Sequence, residues 1–363
     1  RENGWTGYPD PLLERPVKVV KAGDSRSIWL TLLVSENAAA GLYRSSITVT
    51  AGGKKKTAPI ELTIWPFTVP RDGLMGEPYM HLHNFPPENR RELLQRHVQT
   101  LVINFVEHGM RVIHLGPKDM FRWHFSPERK YKDVDIEWLV VSKDGKVALD
   151  VSRFDWLIDT CDRAANPFQL RYMIYIQSLV HGFGDFRRAL PKRFADRPKR
   201  EGHWYQGYYA QEMIGLLRRH LERRKLLDRC VLKISDEPRG FDWWWGRFTL
   251  AAREAEMPMM TCFNSIDWSQ AEKGLRKIAL WQPLYMHYNP TFFKKAKESG
   301  ALVSWYNCGP PPRITVHTPG AHLRGYLWQA AKADLDIVCW GGIQCWQTHH
   351  DVWHSRYSHW NSV

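Results

Sequence analysis

The segment Lys233-Ile234-Ser235-Asp236-Glu237-Pro238 has the sharpest chemical meaning in this sequence. A short apolar run delivers two carboxylates side by side, and Pro238, with no N–H to give to a ladder, stops a strand there. Adjacent carboxylates repel, which favours keeping a proton on one of them, as a general acid requires. A structural reading stands beside this one: an Asp or Glu at such a junction also serves as the N-cap of a following helix. The motif alone leaves both open. Successive side chains on a strand point to opposite faces, so Asp236 and Glu237 can share one ligand only if the chain has left regular β geometry at Asp236. Pro238 is consistent with that exit.

The elements around this segment repeat. From about residue 76, short apolar runs alternate with stretches of helical period, the pattern of βα units around a parallel sheet. The predicted strands are Pro78–His83, Arg111–Leu115, Leu170–Gln177, Val231–Ser235, Met257–Phe263, Ile278–Gln282, Leu302–Tyr306 and Leu335–Trp340. Helices are predicted over Glu88–Glu107, Arg153–Ala165, Tyr205–Asp228, Trp243–Glu256 and Pro290–Lys297. Eight strands imply a closed (β/α)₈ TIM barrel, and residues 116–150 form an insertion with a hairpin at Val141–Val147 around Asp144-Gly145. Before the barrel, Ser27–Val34, Gly41–Thr50 and Ala58–Trp65 alternate apolar and polar residues, with a turn at Ala51-Gly52-Gly53. The expected organisation is therefore a small antiparallel β-sandwich-like domain over residues 1–70, in which only about four strands are visible, and a catalytic barrel over 71–363.

In such a barrel the chemistry sits at the C-terminal ends of the strands. The residues predicted there are His81, His83 and Asn84 after the first strand, His114 on the second, and Gln177 and His181 after the third. Asp236 and Glu237 follow the fourth, Asn264 the fifth, and Trp281 and Gln282 end the sixth. Trp305, Tyr306 and Asn307 close the seventh, with Trp340 and Trp346 at the eighth. Direct hydrolysis of a glycoside by inversion or retention needs a second carboxylate on another strand end, and none is evident. A substrate-assisted route needs none. There the sugar's own 2-acetamido oxygen attacks the anomeric carbon, one carboxyl protonates the leaving oxygen, and its neighbour orients the acetamido group.

Composition narrows the alternatives. The chain has 363 residues, 44% hydrophobic and 25% charged, as a globular protein has, and no apolar run is long enough to cross a membrane as a helix. Eighteen tryptophans offer faces for sugar rings, although a core must absorb most of them. Lys and Arg exceed Asp and Glu by 51 − 38 = 13, a positive field that leaves room for an acidic glycan. The basic residues cluster on predicted helix faces, as at Arg218-Arg219 and Arg223-Arg224-Lys225, rather than in a patch interleaved with aromatics, so no nucleic-acid partner is expected. The six cysteines have no zinc-ligand spacing.

Rival readings fare less well. His81-Leu82-His83 has the alternation of a metal-dependent amidohydrolase barrel, but Asn264, Gln282 and Trp340 stand where that chemistry needs His, His and Asp. His350 and His354 are four apart without an HExxH pattern, and neither a metal nor an organic cofactor is expected. A non-catalytic sugar-binding protein on a degenerate barrel is the remaining alternative, and the acidic pair argues against it. The first residue is Arg1, so any signal peptide would lie before the sequence.

Three stretches resemble glycoside hydrolase family 123, the β-N-acetylgalactosaminidase type. They are Ala39-Ala40-Gly41-Leu42-Tyr43-Arg44 with Glu61-Leu62-Thr63-Ile64-Trp65-Pro66-Phe67, then Ser235-Asp236-Glu237-Pro238, then Ser304-Trp305-Tyr306-Asn307-Cys308 with Arg324-Gly325-Tyr326-Leu327-Trp328 and Ile337-Val338-Cys339-Trp340. The resemblance implies a secreted or periplasmic, exo-acting enzyme in which Glu237 is the acid/base and Asp236 positions the 2-acetamido group. It also implies that Trp305, Tyr306 and Trp340 hold the sugar. One departure stands out: such relatives continue past the eighth strand into a helix rich in Arg and Glu, whereas this sequence stops at Val363.

Overall fold

A computed structural model of the chain describes residues 23, 30–35, 37–68, 73–80, 91–115, 123–125, 134–136, 139–141, 147–149, 151–176, 205–234, 237, 252–264, 267–272, 278–307 and 320–343. The chain divides into two compact units, Arg1–Asp72 and Gly73–Val363. Within the first, β1 (Gly41–Ala51) and β2 (Lys54–Ile64) form an antiparallel hairpin in register from Gly41 opposite Ile64 to Ala51 opposite Lys54. Gly52 and Gly53 both take positive φ, 55° and 76°, the pair of left-handed residues that a tight two-residue hairpin turn requires. Leu30–Val34, predicted as strand from its alternation, carries no strand. Among the described residues the antiparallel unit is thus this one hairpin rather than several strands.

The second unit is a (β/α)₈ barrel. Its strands are β3 (Met75–Met80), β4 (Val112–Leu115), β9 (Arg171–Tyr175), β10 (Cys230–Lys233), β11 (Met259–Phe263), β12 (Leu280–Pro283), β13 (Leu302–Trp305) and β14 (Ile337–Ile343). They close in the order β10-β11-β12-β13-β14-β3-β4-β9, and every neighbouring pair is parallel. All eight predicted strands are present. After β4 come two small antiparallel pairs, β5 (Trp123–Phe125) with β6 (Val134–Ile136) and β7 (Leu139–Val141) with β8 (Val147–Leu149). The second pair is the predicted hairpin.

Helices α1 (Arg91–Glu107), α2 (Ser152–Ala165), α3 (Tyr205–Arg223), α4 (Trp268–Glu272), α5 (Pro290–Glu298) and α6 (Gly320–Lys332) lie between the strands. In α2 the buried Phe154, Leu157, Ile158, Cys161 and Ala165 recur at helical spacing, so one stripe faces the sheet. Helix α5 starts cleanly: the Asn289 side chain accepts from Phe292 N–H at 3.1 Å and Pro290 occupies the first turn.

Two apolar clusters separate the two faces of the barrel wall. The larger joins outward residues such as Ile113, Tyr172, Leu232, Trp281 and Trp305 to the helices. The smaller takes Met75, Val112, Met173, Val231, Met260, Leu280, Leu302 and Ile337 from the eight strands, with Cys262 and Tyr306 above them, and is the packed lumen. Two residues further along each strand, the same face presents Glu77, His114, Tyr175, Lys233, Cys262, Gln282, Ser304 and Cys339. Glu77, His114, Lys233, Gln282 and Ser304 are buried there, so a polar layer sits on an apolar floor.

Buried thiols outside the lumen give the fold an alkaline weakness. Burial pushes the Cys230 thiol from 9.0 up to about 12, and burial, aided by the Asp162 charge, also raises Cys161. The folded chain keeps protons that the unfolded chain releases. Stability is therefore whole below about pH 9 and is lost as pH rises toward 12, by about 1.4 kcal/mol per pH unit for each thiol. Urea midpoints under reducing conditions at pH 8, 9 and 10 should fall progressively, and Cys230→Ala should reduce the slope by one thiol's share. An unchanged slope would mean that the thiol already ionises in the folded chain.

Candidate active site

The chain leaves β10 at Lys233, and by Glu237 the backbone has turned into the left-handed region, at φ 45°. At Glu237 the chain has thus left strand geometry, while Asp236, where the exit was expected, lies outside the described residues. For a residue with a Cβ the left-handed region costs roughly 1–2 kcal/mol, and such strain accumulates at functional sites. Three contacts fix the turn. The Glu237 N–H donates to Cys262 Sγ (3.4 Å), the Asn264 amide donates to Glu237 Oε2 (3.0 Å), and the Tyr306 hydroxyl donates to Glu237 Oε1 (2.5 Å).

These contacts reach Glu237 from two other strands, β11 and β13. Asn264 immediately follows β11 and is exposed, while Tyr306 immediately follows β13 and is partly buried. Tyr306 is itself held at both backbone ends: its N–H donates to Pro283 O (3.1 Å), and its carbonyl accepts from Tyr285 N–H (2.7 Å). Glu237 thus stands at the C-terminal mouth with both carboxyl oxygens gripped by neutral donors. When such a carboxyl gives up a proton, the charge it acquires meets two hydrogen bonds already in place.

Of the predicted site residues, Glu237, Asn264 and Tyr306 are brought together. Gln282 lies deeper, fully buried in the polar layer, where its Nε2 donates to Glu77 Oε2 (2.5 Å) and Ser304 Oγ (3.1 Å). His114 is likewise in that layer, 5% exposed and stacked on Tyr175 at 5.3 Å between centroids. Trp305 is placed otherwise than the sequence suggested. It alternates with Ser304 and Tyr306, so it points outward, and its ring lies 5.0 Å from Tyr285, 5.3 Å from Tyr288 and 5.9 Å from Tyr326. Trp281 is also turned outward, its ring 4.8 Å from that of Phe292. Both indoles belong to the contact between barrel and helices. His81, His83, Asn84, Gln177, His181, Asp236 and Trp346, and the side chain of Trp340, lie outside the described residues. Among the described residues no group of three or more His, Cys, Asp or Glu is placed to hold a metal ion.

Glu77 and Lys233 were missed by the sequence reading. Lys233 is 1% exposed, its ammonium 5.1 Å from the Tyr175 ring centroid, and Glu77 is wholly buried. The predicted first strand began at Pro78, whereas the strand begins at Met75. Read from Met75, alternation alone would have set Glu77 on the inner face.

The sequence matches no protein-family model and no curated protein. Among solved structures, a family 123 glycoside hydrolase from Clostridium perfringens, described for glycolipid glycan hydrolysis, aligns with a TM-score of 0.62 at 14% identity. The match covers 84% of this chain and 56% of that one, so the chain spans little more than half of that protein's length. What is shared is the fold. A glycerophosphodiester phosphodiesterase from Parabacteroides distasonis aligns more loosely, with a TM-score of 0.35 at 9% identity over 74% of this chain and 92% of that one.

Proposed function

We propose that this chain is a glycoside hydrolase, an exo-acting β-N-acetylhexosaminidase that removes β-linked N-acetylgalactosamine by substrate-assisted retention. The observation that carries this reading is the grip on Glu237: a carboxyl at the barrel mouth, on a left-handed turn, with one neutral donor on each oxygen. In the first step Glu237 gives its proton to the glycosidic oxygen as the bond to the anomeric carbon breaks and the acetamido oxygen bonds to that carbon from the other side. Asp236 orients the acetamido group and balances its developing positive charge. In the second step the Glu237 carboxylate takes a proton from water, whose oxygen opens the cyclic intermediate and restores the configuration. Asn264 and Tyr306 stabilise the carboxylate between the steps.

No second carboxylate is required, and Glu77 does not supply one: it is buried in the polar layer and engaged by Gln282, away from the exposed mouth. The substrate is a glycan, and the net charge of +13 favours one with acidic groups beyond the cleaved sugar. His81, His83, Asn84, Gln177, Trp340 and Trp346 are the candidates for its recognition, and the route uses no metal or organic cofactor.

The test is hydrolysis of aryl β-glycosides of N-acetylgalactosamine, N-acetylglucosamine and galactose. Cleavage confined to the acetamido sugars is expected. Equal cleavage of the galactoside would exclude acetamido participation.

A further inference from the structure

Strands β3 and β12 are not neighbours; β13 and β14 lie between them in the barrel order. The hydrogen bond from Gln282 on β12 to Glu77 on β3 therefore crosses the lumen, and the same amide nitrogen also reaches Ser304 on β13. All three side chains have 0% exposure. A carboxylate in such a place is costly to bury, and an apolar side chain of similar volume would carry no such penalty. The Glu77 oxygen accepts from the donor end of the Gln282 amide, and the same amide nitrogen holds Ser304. Ser304 stands two residues before Tyr306 on the same inward face, and β12 also holds Tyr306 by its backbone, through Pro283 O.

From this geometry we infer that Glu77 is a positioning residue for the site: by locking Gln282 and Ser304 across the lumen, it sets the end of β13 so that the Tyr306 hydroxyl meets Glu237. The inference rests on the proposed role of Glu237 as acid. It adds a buried carboxylate that never touches the substrate, and it gives the polar layer beneath the mouth a task. Four strands are involved in the relay, β3, β12 and β13 by side chains and β10 through Glu237, so a small change at Glu77 reaches the proton donor without any change in the pocket lining.

The experiment compares Glu77→Leu, Glu77→Gln, Tyr306→Phe and the double variant Glu77→Leu/Tyr306→Phe on an aryl N-acetylgalactosaminide. Glu77→Leu should lower kcat by about tenfold with KM nearly unchanged, and Glu77→Gln, whose amide oxygen can still accept from Gln282, should recover most of that loss. In the Tyr306→Phe background the Glu77→Leu loss should vanish, because residues acting through one contact are not additive. An equal loss in both backgrounds, or a lower unfolding midpoint with kcat intact, would overturn the inference. Labelling with 3-fluorotyrosine separates this from a failure of the glycosidase reading: the fluorine resonance of Tyr306, assigned by its absence in Tyr306→Phe, should shift in Glu77→Leu even if no sugar is cleaved. A resonance that does not move overturns the positioning role. If Glu77→Leu does not fold, Gln282→Met breaks the same link from its other end and is measured by the same two readouts.

Discussion

Glu237→Gln should lower kcat on an N-acetylgalactosaminide with a poor leaving group by about 10²–10⁴-fold, the usual contribution of a positioned general acid. The amide cannot supply the proton, while its size preserves the turn at φ 45°. The loss should shrink sharply with a dinitrophenyl leaving group, whose oxygen departs without protonation, and KM should change little because the carboxyl acts on the bond being broken. The competing structural role makes a different forecast. A helix-capping carboxylate would cost about 1 kcal/mol of stability on replacement and leave turnover intact. Kinetics on the two leaving groups, with unfolding measured in parallel, separates these outcomes, and a loss equal for both leaving groups would dismiss proton donation. The Asn264 and Tyr306 bonds favour the catalytic account, since both reach the carboxyl from side-chain donors rather than from backbone amides of a helix.

The second large effect is on stability. Trp305→Ala should destabilise the chain by about 3–5 kcal/mol, as truncating a buried Trp does. The indole is 2% exposed and edge-on to Tyr285 and Tyr288, contacts that add to the burial itself. Trp305→Phe should lose far less. Substrate affinity of the folded fraction should be unaffected, because the ring faces helix-side residues and not the lumen. Denaturant unfolding together with KM decides this: a raised KM with an unmoved unfolding midpoint would return Trp305 to the sugar pocket where the family resemblance put it.

The fate of Trp305 shows where the sequence runs out. Its neighbours Ser304 and Tyr306 face inward, and period-two alternation then forces Trp305 outward, but which of the two sets faces the lumen depends on the whole barrel. In a parallel sheet covered on both sides, each strand is apolar throughout, and the hydrophobic pattern cannot tell inside from outside. The pairing of Leu280 with Leu302 and of Ser304 with Ile337 resolves it. The same ambiguity hid Glu77, and it gave Gln282 a place at the rim rather than in the buried layer. Helix α6, with two glycines that weaken its helical signal, was not among the predicted helices, yet it packs Tyr326 and Ala330 into the core.

What the sequence determined by itself was the order of things along the chain: eight apolar runs at βα spacing, hence a barrel, and a strand followed closely by Glu237, hence a carboxylate beyond its C-terminal end. These are local properties, fixed by periodicity and by what proline cannot do. The tertiary structure alone decided which residues meet. Asn264 and Tyr306 lie 27 and 69 residues from Glu237, and Gln282 lies 205 from Glu77. No local rule links such positions. Barrel closure does, because shared register carries side chains from distant strands to one face and to one height in the lumen.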